Sequence, residues 1–152
     1  MKVLFVCLGN ICRSPAAEGV FKALVATQGL EDKITVDSAG TYGGHAGDLP
    51  DSRMRAAALR RGLILDSRSR QIKSDDFYDS DMVIVMDDSN YERVSRLAPD
   101  RESLQKLYRM REFLTRYTID HIPDPYYEGA DGFEYVLDLL EDACENLLLK
   151  VK

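Results

Sequence analysis

The stretch Val3-Leu4-Phe5-Val6-Cys7-Leu8-Gly9-Asn10-Ile11-Cys12-Arg13-Ser14-Pro15 constrains this chain more than any other. Its first half is apolar at nearly every position, the pattern of a central parallel strand buried on both faces. Its second half breaks into small and polar residues and then meets a helix start. Pro15 suits a first helical position, although Glu18 falls one place too late to complete a capping box with Ser14. A tight loop entering a helix turns successive backbone N–H groups inward as a nest, and the helix N-terminus adds partial positive charge. The reading is strand, anion-holding loop, helix, with the cysteine at the loop's first position in a field that favours thiolate over thiol. Arg13 adds a planar fork able to hold two oxygens of one anion, where a lysine would give only a point charge. Ser14 places a hydroxyl near the sulfur.

The rest of the chain alternates strand and helix patterns. Val20, Phe21, Leu24 and Val25 follow helical spacing to a stop at Gly29. Ile34-Thr35-Val36 reads as a second strand, with Asp37-Ser38-Ala39-Gly40 as its exit. A glycine-rich loop from Thr41 to Leu49 leaves that strand, which makes Tyr42 and His45 candidates for a ligand entrance. Pro50-Asp51 opens a helix that stops at Gly62. Met82 to Met86 is a third, fully apolar strand, followed by Ser89 and Glu92 as a capping box. Leu104 to Met110 is the fourth strand candidate, and residues 111–123 read as a long connection of the kind that carries function. A last helix is expected from Asp131, with Glu134 completing its capping box and Phe133, Val136, Leu137, Leu140, Cys144, Leu147 and Leu148 as its apolar stripe. Four strands alternating with helices imply a parallel doubly wound α/β sheet covered on both faces, in one domain spanning residues 1–152.

Composition narrows the partners. A net charge of −6 argues against nucleic acid. No apolar run reaches the ~18 residues of a membrane span. Three cysteines, Cys7, Cys12 and Cys144, give an odd number without zinc-type spacing, so a reducing, cytoplasmic setting is expected and no metal site or cofactor is read. His45 and His121 are the only histidines, which leaves a metal hydrolase poorly supported.

Cys-x5-Arg-Ser at the N-terminus, Val36-Asp37-Ser38, Met86-Asp87-Asp88-Ser89-Asn90 and Asp124-Pro125-Tyr126-Tyr127 stand in an order that resembles the low-molecular-weight protein tyrosine phosphatases over the whole chain. The resemblance implies sheet order 2-1-3-4 with the phosphate-binding loop after strand 1. It implies Cys7 as nucleophile, Arg13 holding phosphate with Leu8, Gly9, Asn10, Ile11, Cys12 and Ser14, and Asp124 as general acid. It also implies loop support from Asn10, Ser14 and Ser38, a substrate wall of Ile11, Tyr126 and Tyr127, and a redox role for Cys12 through a reversible Cys7–Cys12 disulfide. From its residue type alone, Cys12 reads equally as a small buried side chain, and Ser38 as an ordinary turn residue. Two positions depart from the family: Gly44 stands where an aromatic is common, with Tyr42 as substitute wall or exposed residue, and Ser67 stands where many members carry histidine. Arg68, Arg70 and Lys73 form a basic cluster that reads as solvated surface or as a contact for an acidic phosphopeptide.

The implied activity is hydrolysis of phosphotyrosine in proteins, opposed by a tyrosine kinase. A protein arginine phosphatase of the same fold is the nearest alternative, but it carries threonine where Ile11 stands. Arsenate reductases of this fold need cysteines in the middle of the chain, and none lies between Cys12 and Cys144. A non-catalytic phosphate-binding module is the reading from a different class, and the presence of Cys7, Arg13 and Asp124 together argues against it.

Overall fold

A computed structural model describes residues 1–152. Strand β1 (Lys2–Cys7) is followed by α1 (Arg13–Thr27), β2 (Thr35–Gly40), α2 (Ser52–Leu59), a short α3 (Asp76–Asp79), β3 (Met82–Val85) and α4 (Asp88–Ser95). The chain continues through α5 (Arg101–Leu104), β4 (Leu107–Arg109), a 3-10 turn (Met110–Phe113) and α6 (Ala130–Val151). The sheet runs in the order β2-β1-β3-β4 and every pairing is parallel. This is the order that the family resemblance implies, and it puts β1 between two neighbours with its carboxyl end at Cys7.

Alternation along β1 divides the core. Val3, Phe5 and Cys7 join Met82 and Ile84 in a large apolar cluster beneath α1, α2 and α6. Leu4 and Val6 join Val83, Val85, Phe77 and Val94 in a smaller cluster beneath α3 and α4. Both faces of β1 are therefore dry, which explains its unbroken apolar run. The stripe expected on the last helix is buried in full.

Several boundaries differ from the sequence reading, each for a local reason. β2 runs on through Gly40, because Asp37 and Ser38 pair with Leu4 and Phe5 while their polar side chains find Arg70 and Glu18. Gly40 itself lies against the loop after β1, where a Cβ would come 2.8 Å from the Leu8 carbonyl oxygen. Helix α4 is capped by Asp87, whose Oδ1 accepts from the Asn90 amide at 2.8 Å, and Ser89 lies inside the helix. The fourth strand shrinks to Leu107–Arg109 because the Asp100 carboxylate caps α5 through the Ser103 amide, drawing Leu104 into a helical turn. Helix α6 starts one residue early with Gly129 at its cap, and Glu134 bonds Arg60 and Arg61 of the segment after α2 rather than closing a capping box.

Residues 111–123 are anchored at both ends. Buried Ile122 donates its amide to the Met86 carbonyl, and the Asp142 carboxylate of α6 accepts from the amides of Thr115 and Arg116 at 2.9 and 3.0 Å. Burial raises the Asp142 carboxyl, but the Arg116 and Thr115 hydrogen bonds more than offset it and hold it below its ordinary value. A carboxyl depressed in the folded state contributes stability above its unfolded value and loses it as pH falls through the folded one. Asp142→Asn is therefore expected to lose about 1–3 kcal/mol in urea denaturation at neutral pH. That deficit should shrink as pH falls below the unfolded aspartate value of ~3.9. A deficit that is the same at every pH would contradict this account.

Candidate active site

The loop from Cys7 to Ser14 turns its carbonyls outward and its amides inward. The Cys7 and Leu8 carbonyls accept from the amides of Thr41 and Tyr42, Ile11 from Asp51, and Cys12 from Ala16. The Gly9 carbonyl accepts from the Ser69 hydroxyl at 3.0 Å. None of the consecutive amides from Leu8 to Ser14 donates to an acceptor of the protein. Free donors converging at the start of a helix make an anion seat.

Asn10 makes this curvature. Its φ of 55° lies in the left-handed region, and its side chain holds it there. Its Nδ2 donates to Ser14 Oγ at 2.8 Å and to Ser38 Oγ at 2.9 Å, while Oδ1 accepts from the Arg70 amide at 3.1 Å. Ser14 Oγ lies 3.0 Å from Cys7 Sγ.

Arg13 is 2% exposed and held from behind. Its Nη1 donates to Asp87 Oδ2 at 2.7 Å and to the Ile122 carbonyl at 3.1 Å, and its Nη2 lies 3.7 Å from Asp124 Oδ2. Burial lowers the guanidinium, yet the negative neighbours Cys7, Asp87 and Asp124 raise it further, so it stands above its ordinary value. Asp124 is partly exposed and its Oδ1 accepts from the Tyr126 amide at 3.1 Å. Burial, followed by the charges of Asp51, Cys7 and Asp124, pushes the Cys12 thiol far up and keeps it protonated.

A cavity of about 240 Å³ opens over this floor, lined by Cys7, Cys12, Arg13, Ile11 and Asp124 with Tyr42, His45, Tyr126 and Tyr127 around the mouth. Tyr126 and Tyr127 meet edge to face at 5.0 Å, and Tyr127 is 92% exposed. Tyr42 crosses residue 44 so closely that a Cβ there would come 2.1 Å from its ring. Gly44 thus leaves the space in which Tyr42 lies along the cavity.

Every residue expected at the site from the sequence lies at the cavity or in the net behind it. Ser67 does not reach that net, and the neighbouring Ser69 is the residue that bonds the loop. The basic cluster separates: Arg70 is spent on Asp37 and Asp76, and Arg68 bonds the Gly47 carbonyl. Sequence reasoning missed Asp87, Ile122, Ser69 and Glu18 as supporting residues. Asp87 lies inside one of the stretches that carry the family resemblance, and Glu18 reads in the sequence only as an incomplete cap; the Ile122 carbonyl carries no signal.

A parallel sheet whose central strand delivers a cysteine, and whose following helix delivers an arginine, to a ring of free amides defines a cysteine-dependent phosphate-ester enzyme. A family model for low molecular weight phosphotyrosine protein phosphatase matches residues 2–152. A protein tyrosine phosphatase structure from Entamoeba histolytica is similar with a TM-score of 0.97 and 48% identity, over 99% of this chain and 96% of that one. A low molecular weight protein-tyrosine-phosphatase of Streptomyces coelicolor is 40% identical over 99% of this chain and 93% of its own length. YfkJ of Bacillus subtilis, of the same description, is 39% identical over 100% and 96%. The chain belongs to the low-molecular-weight protein tyrosine phosphatase family, and phosphotyrosine-containing proteins are its substrate class.

Gly44→Ala should drive the Tyr42 ring from the cavity wall and weaken binding of a non-hydrolysable aryl phosphonate by about two- to tenfold, the worth of one aromatic contact. Unchanged binding by calorimetry would remove Tyr42 from the wall.

Proposed function

We propose that this protein hydrolyses phosphotyrosine in two steps on Cys7. The phosphoryl group sits on the Leu8–Ser14 amides and on Arg13, which stabilise the charge on its equatorial oxygens. Cys7 sulfur attacks phosphorus in line, an S–P bond forms, the ester O–P bond breaks, and Asp124 gives its proton to the departing phenolate. Asp124 then takes a proton from water as the water oxygen bonds phosphorus and the S–P bond breaks, releasing phosphate and free cysteine. Ile11, Tyr42, Tyr126 and Tyr127 line the path of the phenol ring, and Asn10, Ser14 and Ser38 support the loop. The observation that carries this reading is the unbroken run of unpaired amides around Cys7, with the buried Arg13 guanidinium linking it to Asp124. The apolar side chain of Ile11 and the paired tyrosines support an aryl ester over a phosphoarginine.

Cys12 is the proposed redox partner of Cys7, supported by their shared cavity. No helix is long and apolar enough to cross a membrane. An odd number of cysteines without zinc-type spacing supports a cytoplasmic setting with a tyrosine kinase as the opposing partner, and the net charge of −6 speaks against nucleic acid.

Without added metal, Cys7→Ser is expected to lose more than about a thousandfold in aryl phosphate turnover. Asp124→Asn should lose about 10²–10⁴-fold with phenyl phosphate, and much less with a strongly acidic phenol as leaving group. A deficit independent of the leaving group would remove Asp124 as the acid, and full activity in Cys7→Ser would remove the nucleophile.

A further inference from the structure

Residues 123–128 carry Asp124 and the Tyr126 ring, yet their own hydrogen bonds are local. The Asp124 carboxylate accepts from the Tyr126 amide at 3.1 Å and the Pro125 carbonyl from the Glu128 amide at 2.9 Å, and no hydrogen bond joins these residues to another element. Tyr126 is 37% exposed. A ring on such a segment is held in place only by what it packs against. Arg53, near the start of α2, supplies that packing. Its guanidinium carbon lies 5.3 Å from the centre of the Tyr126 ring and 4.8 Å from the centre of the Phe133 ring on α6.

The guanidinium is itself braced. The Asp51 carboxylate accepts from Arg53 Nε at 3.1 Å, from Nη2 at 2.8 Å and from the Arg53 amide at 2.8 Å. Two-pronged pairing of this kind fixes the plane of the guanidinium as well as its position. The Asp51 amide in turn donates to the Ile11 carbonyl at 2.7 Å. Residues 51–53 thus touch both the loop that carries Ile11 and the segment that carries Tyr126, and Ile11 and Tyr126 both line the active-site cavity. Arg53 does not line it; with Arg60, Glu128 and Phe133 it borders a separate cavity of about 360 Å³. The cation therefore stands behind the Tyr126 ring, where it attracts the aromatic face without entering the substrate's path.

We infer that Arg53 is a positioning residue for substrate choice: braced by Asp51, it holds the Tyr126 ring at the spacing from Ile11 that accepts the aromatic group of a phosphate ester. The inference rests on Tyr126 being a wall of the substrate cleft. Anion and ring are then read by different parts of the protein. The loop amides and Arg13 take the phosphoryl group, and Arg53, acting through Tyr126, prepares the slot for the ring. Ordering that slot before the ligand arrives lowers the cost of binding.

The test compares two competitive inhibitors of aryl phosphate turnover, a non-hydrolysable aryl phosphonate and inorganic phosphate. It is run in 0.15 M salt, where exposed charges more than about 8 Å apart are largely screened. Arg53→Met keeps an apolar stem against both rings and removes the cation. It should raise the inhibition constant of the phosphonate by about two- to fivefold, the worth of one exposed cation–π contact, and leave that of phosphate unchanged. In a Tyr126→Leu background the same substitution should add little, since the two residues act on one slot. Arg53→Gln can still donate to Asp51 but puts no charge behind the ring, and should show the same selective loss. An unchanged phosphonate constant in Arg53→Gln overturns the inference even where the methionine variant does not fold. So does an equal loss for phosphate and phosphonate, which would make Arg53 a charge for the anion or a general prop of the fold, or a full effect of Arg53→Met without Tyr126. If Tyr126→Leu alone leaves the phosphonate constant unchanged, Tyr126 is not a wall, and the reading of the cleft falls together with the inference.

Discussion

Everything at this site depends on one backbone constraint: a run of amides must stay unpaired inside a folded protein. Buried N–H groups without partners are costly, so the loop that presents them has to be fixed by other bonds. Here the carbonyls of the same residues supply the fixing. Those of Cys7, Leu8, Gly9, Ile11 and Cys12 are engaged by the start of the β2 exit loop, by Ser69, by Asp51 or by the first turn of α1. The left-handed backbone of Asn10 makes the reversal, and its side chain, bonded at both ends, keeps it in a conformation that a β-branched residue would resist. The seat for phosphate is thus prepaid by packing and hydrogen bonds in β2, α1 and the 69–71 segment before any ligand arrives.

The same economy applies to charge. The protein is acidic as a whole, with a net charge of −6, so its attraction for a phosphate dianion has to be local. Arg13 concentrates it. Asp87 and the Ile122 carbonyl hold one guanidinium nitrogen, leaving Nη2 facing the cavity and Asp124. Because Ile122 sits two residues before Asp124 and bonds the end of β3, the arginine, the acid and the sheet share one frame. The long connection before Asp124 is tied to α6 through Asp142, so the acid is carried on an anchored loop rather than on free chain.

Strand β1, α1 and the apolar stripe of α6 were legible in the sequence because they bury long, regular patterns, and the meeting of Cys7, Arg13 and Asp124 at one cavity was legible through spacing and family likeness. The ends of elements were not. Ser89 looked like a cap only because Asp87, two residues earlier, leaves no periodic mark, and Asp37 and Ser38 looked like a turn because polar residues in a strand make sense only once Arg70 and Glu18 are seen beside them. Glu18 carried a helix-start signal that failed by one residue, and its partner Ser38 lies on β2. Contacts between a side chain and a distant backbone carbonyl, such as Arg13 to Ile122, have no counterpart in residue type and became visible only in three dimensions. Tyr42 filling the space over Gly44 is a compensation between neighbours that the sequence could pose but not decide.

The central claim is that the phosphoryl group passes through a covalent bond to Cys7. Mixing Asp124→Asn with an aryl phosphate of acidic leaving group, quenching within milliseconds and mapping the phosphorylated peptide by mass spectrometry tests it most directly. The account predicts a burst of phenol matched by phosphate on Cys7, accumulating because the variant lacks the base that activates water. Phenol release with no phosphorylated protein, or phosphate on any other residue, would contradict it.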